Sequence, residues 1–455
     1  MSGAVAAHAS YNGSGTQGLA VTNKINPADG EVMSVFWNKN DTTRQLLYGS
    51  STIEIASSGT GGTASFGGSQ VFTINNDIDC LGDLYVQVSL KVDVDGNKGL
   101  VDPYFLAKVI SRVEFQVGTQ VWQTLENKDL LALCRTELGE GQYNTMASQA
   151  NGFLKEGGIP VSYKTQNNPG VMEETGTYTA YIHLPMLTKT LAPELQKFSD
   201  HSEDGYLMAA APHQTVKIKI YYASKTDLAT TWDAVAQMDH NGATLGNVLS
   251  TGADASTFTS ADYAVLSDLD VKLYGQHMIM CNEEREQMKA QPEGIPKRLK
   301  LTQNVQQELR GATTTINLDH FSLYASHFII TTPAPLNSVE LLLNSASFSG
   351  VLPAQLLATS TAEVLGLYNN SFSIGPRDYD IVESYTYVFP LASRAYGGSS
   401  VPLNRFDNIR LRINQTLPAI ATTLLAGSSN QLLDVTCVGE TTALYKAGAA
   451  SLAMY

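Results

Sequence analysis

Apolar and polar residues alternate through most of the chain beyond its first fifty positions. In NIRLRI, residues 408–413, Ile409, Leu411 and Ile413 alternate with Arg410 and Arg412; in TVKIKI, residues 215–220, Val216, Ile218 and Ile220 alternate with Lys217 and Lys219. A period of two is that of a strand with one face buried. The same pattern marks STIEIAS, QVFTIN, DLYVQVSLKV, RVEFQVGTQVWQTL and TYTAYIHL, and further on AVLSDLDVKLYGQHMIM, TTTINLDHFSLYASHFIITT, SVELLLNS, ESYTYVFPL and LLDVTCV. Turn residues punctuate them, as in SGTGGT, VDVDGNKG and QNNPG. Helical spacing is confined to ENKDLLALCRTEL (126–138), APELQKF (192–198) and EEREQMKAQ (283–291); Asn282 is placed to cap the last, and Pro292 follows it. Helices so short and few cannot supply βαβ crossovers, so a parallel sheet is excluded and the fold is all-β.

The two opening strands belong to a wider repeat. SRVEFQVG and NSVELLLN align at an offset of 226, with Val113 on Val339, Glu114 on Glu340 and Phe115 on Leu341; Leu130, Leu131 and Ala132 fall on Leu356, Leu357 and Ala358 at the same offset. YIHLPM and YVFPL then align on Pro185 and Pro390, an offset of 205, and the opening pair aligns at 193. Three segments in one order imply one β-domain present twice, with loops of unequal length between the shared strands. Each half holds about eight short strands, which fits an eight-stranded jelly roll better than the smaller immunoglobulin sandwich. The organisation expected is an N-terminal arm over 1–45, a first jelly roll over 46–223, an inserted loop and linker over 224–262, and a second jelly roll with its tail over 263–455.

Composition narrows the function. Of 455 residues 16% are charged, below the roughly 25% usual for globular domains, and the formal net charge is −14. An acidic chain makes a poor partner for nucleic-acid phosphates or anionic lipid. No apolar run is long enough to span a bilayer, and MSGAVAAHASYNGSG lacks the basic and apolar regions of a signal peptide. Cys80, Cys134, Cys281 and Cys437 are scattered, with no CxxC and no disulfide framework.

Candidate chemistry does not converge. GSGTQG (13–18) and GTGGTA (59–64) match dinucleotide-loop spacing, but neither lies between a strand and a helix. His277 and Cys281 are four apart, a metal spacing only on a helix, and HMIMC reads as strand. Glu173-Glu174 and Glu283-Glu284 are adjacent carboxylates with no sign of a shared cleft. Sequons at Asn12, Asn40, Asn369 and Asn414 are read as chance matches. No catalytic, cofactor-binding or metal residue is expected, and no cofactor.

Several segments resemble the major capsid proteins of the nucleocytoplasmic large DNA viruses, from about residue 33 to 455. FTINNDIDCLGDLYVQVSL resembles the family's first long strand, and ISRVEFQVGTQVWQTLENKDLLAL its strand, hairpin and helix, with Gly118 at the tip. NEEREQMKAQP matches the Glu-Arg helix through Glu284, Arg285, Met288 and Pro292; NRFDNIRLRI matches the Arg-x-Asp-Asn motif through Arg405, Asp407 and Asn408. The family's LPLIAL stretch is replaced by LMAAAPH. The resemblance implies a double jelly roll without enzymatic activity: a structural protein whose homotrimers form pseudo-hexameric capsomers tiling an icosahedral shell. It implies as partners neighbouring capsomers and minor capsid proteins, with no direct nucleic-acid binding and an indirect contact with an inner membrane layer. The implied location is the virion, after synthesis and assembly in the host cytoplasm. Alternatives are a minor or paralogous capsid protein and a carbohydrate-binding or adhesin-type double jelly roll.

Overall fold

The computed structural model describes residues 49–57, 64–75, 77–94, 99–101, 104–161, 171–172, 174–186, 205–229, 265–279, 285–286, 294–308, 312–332, 336–357, 385–392, 400–415 and 432–453. The arm expected over 1–45, the helix at 192–198, most of the 224–262 insertion and most of the helix at 283–291 lie outside them.

In chain order the longer strands of the first half are β1 (Gly49–Ile55), β2 (Ser69–Ile74), β3 (Cys80–Asp93), β4 (Ile110–Val117), β5 (Gln120–Glu126), β6 (Gly176–Leu184), β7 (Val216–Tyr222) and β8 (Val265–Ile279). Those of the second are β9 (Ile295–Glu308), β10 (Thr313–Asn317), β11 (Tyr324–Thr332), β12 (Leu336–Leu343), β13 (Tyr385–Pro390), β14 (Ile409–Gln415), β15 (Leu432–Lys446) and β16 (Ala449–Ala453). The first half pairs as β1-β8-β3-β6 against β2-β7-β4-β5. The second pairs as β9-β15-β11-β13, with β16 on β15, against β10-β14-β12, with the short strand Ala346–Ser347 beside β12. Two antiparallel sheets wrapped in this order are a jelly roll, and the order is the same in both halves. The fold is a double jelly roll.

One boundary is corrected. The strand Val265–Ile279 was expected to open the second roll, but β8 lies between β1 and β3 in the first roll's sheet. Its hydrogen-bonding partners, not its place after the long insertion, decide its domain. The insertion therefore joins β7 to β8 inside the first roll.

The repeat holds at the level of register. Val216, Ile218 and Ile220 of β7 face Val117, Phe115 and Val113 of β4. Ile409, Leu411 and Ile413 of β14 face Leu343, Leu341 and Val339 of β12. Strand pairing thus joins the 193 and 226 offsets residue for residue. The turns agree too. Gly118, at φ 61, donates its N–H to the Thr215 carbonyl at 2.8 Å; Asn344, its counterpart at φ 48, donates to the Asn408 carbonyl at 2.7 Å. Only Gly, and next Asn, accept this left-handed backbone cheaply.

Two of the longer elements were not anticipated. Strand β9 carries LTQNVQQE, too polar to show alternation. Helix Glu140–Ala150 has only a sparse apolar stripe, burying Tyr143, Met146 and Ala150. The helix expected at 126–138 is present as Asn127–Glu137. In chain order α1 is Phe105–Lys108, α2 Asn127–Glu137, α3 Glu140–Ala150, α4 Lys225–Ala229 and α5 Ala354–Leu356.

Each roll has its own apolar core. Phe72, Val86, Phe115, Ile182 and Ile218 lie in the first, and Ile316, Phe328, Leu341, Phe389 and Leu411 in the second. Strand β3 alternates regularly between buried and half-buried positions, so one face of its sheet is open. Its counterpart β11 is buried almost continuously. Phe328 and Ile330 enter the second core, while Ile329 packs into the first roll's core. The outer face of the second roll's sheet is thus covered by the first roll.

Candidate functional site

The covered face is the most chemically organised place among the described residues. It is built by α2, which follows the β4–β5 hairpin and projects toward the second roll. Asn127 fixes its start, donating from Nδ2 to the Ala107 and Ile110 carbonyls at 2.9 and 2.8 Å. Its polar residues then reach across. Lys300 Nζ on β9 donates to Glu137 Oε2 at 2.6 Å, and both side chains are 0% exposed. Asp129 Oδ1 accepts from Asn304 Nδ2 and from Thr436 Oγ1, each at 2.6 Å. Lys128 pairs with Asp434 at 3.0 Å, and Arg135 donates to Thr386 Oγ1 at 3.3 Å and to Tyr143 Oη at 3.1 Å.

Burial sets the protonation here. It holds Asp129 and Asp434 above the ordinary carboxylate range, partly offset by their hydrogen bonds and, for Asp434, by Lys128. His327 is pushed down to about 3 by burial and the Lys300 charge, so its imidazole is neutral; its Nδ1 lies 2.8 Å from Ser326 Oγ. Burial pushes the Cys134 and Cys437 thiols up, which removes them as nucleophiles. A buried charge is tolerated only when paired and hydrogen-bonded, and here the bonds of Lys128, Asp129 and Glu137, and that of Arg135 to Thr386, join one roll to the other. The arrangement holds two bodies together; it offers no activated group to a substrate.

A second seam lies beside the first. Tyr206 stacks edge-on to Tyr445 at 5.4 Å, and Leu207 N donates to Tyr445 Oη at 3.4 Å. Gln214 brackets Ala450, donating to its carbonyl at 3.1 Å and accepting from its N–H at 2.7 Å. His213 N donates to the Gly448 carbonyl, and a Cβ on Gly448 would lie 2.3 Å from the His213 ring. The segment LMAAAPH, where the resemblance departs, lies on the first roll's side of this seam through Leu207 and His213.

Few of the residues singled out from the sequence lie among the described ones. The loops 13–18 and 59–63, Cys281, Glu173 and the pair Glu283-Glu284 lie outside the described residues. His277 lies on β8 opposite Leu81, and Glu174 pairs with Lys155. Among the described residues no three His, Cys, Asp or Glu side chains could hold a metal. Arg285, from the expected Glu-Arg helix, grips Asp79 with both arms at 2.7 and 2.6 Å, just before β3. Asn344 Oδ1 accepts from the N–H groups of Asp407 and Asn408 at 3.0 and 3.2 Å. Asn414 is committed to Ser338 and Thr313 across the sheet. These motifs are structural. The junction residues Asp129, Glu137 and Lys300 were missed, because no local spacing links residues so far apart in the chain.

The outer face of the first roll's sheet is the open counterpart of the covered one. Tyr85 and Tyr274 are neighbours across β3 and β8, and the Tyr181 and Tyr274 rings are 6.3 Å apart. Tyr274 Oη donates to Gln87 at 3.0 Å, and Ser89 bonds Thr179 at 3.0 Å.

No protein-family model matches the chain, and no curated protein matches it by sequence. Solved structures do match. PBCV-1 VP54, fitted into a reconstruction of the virophage Sputnik, aligns at TM-score 0.61 with 13% identity, over 90% of this chain and 98% of that one. A quasi-atomic model of the PBCV-1 virus capsid aligns at 0.59 with 12% identity, over 90% and 98%. The Faustovirus major capsid protein aligns at 0.57 with 8% identity, over 96% and 98%. At these identities the likeness is one of fold, and it spans both rolls.

Proposed function

We propose that this chain is a capsid building block, the major capsid protein of a large double-stranded DNA virus, without enzymatic activity. Three copies close into a pseudo-hexameric capsomer that tiles an icosahedral shell alongside minor capsid proteins. The observation that carries this reading is the pair of rolls of identical strand order, locked at a fixed angle by a buried polar junction. Three such chains present six similar lobes, and a heterologous contact repeated between them closes the ring. The fold shared with PBCV-1 VP54 and the Faustovirus protein over nearly their whole lengths supports the same reading. The protein acts in the virion, after assembly in the host cytoplasm.

Light scattering on purified protein tests it. The expected mass is about three times 49.0 kDa, with six-lobed particles in negative stain. A stable monomer or dimer across several buffers overturns the proposal.

A further inference from the structure

We propose that the open face centred on Tyr85, Tyr181 and Tyr274 is the docking surface for a second copy of this chain, which engages it through residues 346–356. The inference rests on the trimeric reading and names the surfaces that meet. Its basis is the internal repeat. Strand pairing aligns His183, Tyr85 and Tyr274 across three strands of the first roll. The same pairing aligns Val388, Ile329 and Thr436 across the equivalent strands of the second. Tyr181, two residues before His183, is then the counterpart of Thr386.

Every one of these second-roll positions that corresponds to a tyrosine is occupied by the first roll. Ile329 packs into the first roll's core, Thr436 bonds Asp129, and Thr386 accepts from Arg135. The first roll carries three tyrosines at the matching places, and Tyr181 is 47% exposed. Tyrosine is enriched where a surface is wet when free and buried when bound.

The matching donor is equally specific. In the first roll the covering element follows the hairpin at Gly118. The segment after the equivalent turn at Asn344 leaves Phe348, Val351 and Leu356 exposed by 48%, 59% and 45%. Leu356 is the counterpart of Leu130, which is buried. One contact is satisfied within the chain; the same contact, between the second roll of one copy and the first roll of the next, is left open at both ends. Such a heterologous contact repeats around a ring.

Two single substitutions test the pairing, Tyr181→Asp on the acceptor face and Val351→Asp on the donor segment. Both sites are solvent-exposed in the single chain, so circular dichroism should show the wild-type fold, and melting should fall only by what the lost association contributed. Each should weaken trimerisation roughly tenfold or more, since a charge is forced into the buried centre of an interface. Mixed in equal amounts, the two variants should form a heterodimer, because the intact donor of one meets the intact acceptor of the other. If both variants keep the wild-type trimer mass, or their mixture stays monomeric, this inference is overturned while the trimer stands. If Val351→Asp alone still pairs, the tyrosine face meets itself and the inference is equally overturned. A monomeric wild type would instead remove the trimeric reading on which it rests.

Discussion

His327 titrates against folding. Buried and held down to about 3, it stays neutral in the folded protein while an unfolded chain protonates it near pH 6.5. The unfolded state therefore binds more protons as pH falls from about 6.5 toward 3, and stability is lost across that window. At the acid end the loss from this residue is about 3 to 5 kcal/mol. Asp129 and Asp434, raised by burial, run the other way and recover stability on neutralisation. The isolating measurement is the pH dependence of urea midpoints for wild type and His327→Gln; the variant should show a flatter acid limb, and parallel curves would refute the assignment. Lys300 and Glu137 make a second residue-scale case. Glu137→Ala removes the buried carboxylate that Lys300 bonds and should cost about 3 to 5 kcal/mol, whereas Glu137→Leu with Lys300→Met should recover most of it. Denaturant titration of wild type, Glu137→Leu, Lys300→Met and the double variant decides whether the pair couples.

At the scale of elements, the repeat makes a symmetrical prediction. Val113 and Val339 sit at equivalent, fully buried positions on β4 and β12. Val113→Asp and Val339→Asp each bury a charge without a partner, at a cost of several kcal/mol. Both should yield insoluble or unfolded protein by circular dichroism, and one variant behaving like a surface change would break the equivalence. Strands with one open face were legible because alternation is their signature: β3, β7 and β14 could be read directly. Strand β9 was not, because Lys300 is buried and Asn304 half-buried in polar bonds to α2, and a buried polar residue reads as an exposed one. Strand β8 was legible as a strand but not as to its sheet, since alternation says nothing about which neighbour supplies the hydrogen bonds.

For the whole molecule, the duplication carried most of what the sequence could say. It supplied the two rolls and, through three offsets, the equivalences that the register bears out. The junction was not legible, because its bonds connect residues of one roll to residues of the other and leave no periodic trace. What distinguishes the halves is burial: β11 has both faces covered and β3 only one. The same strand, written twice, has been filled with His327 and Ile329 where it meets a neighbour, and with Tyr85 where the face is open.

The seam between Tyr206 and Tyr445 also sets a timetable. The first roll's half of it leaves the ribosome long before its complement, since 239 residues separate the two tyrosines. At about 5–20 residues per second the gap is roughly 10 to 50 s. Through that interval a nascent chain displays Tyr206, Leu207 and Gln214 without their partners. On a polysome crowded with identical chains, a downstream hairpin arriving from a neighbour fits the gap as well as the chain's own. Fidelity of assembly thus depends on how fast each chain closes its own seam, a race that begins before any complete protein exists.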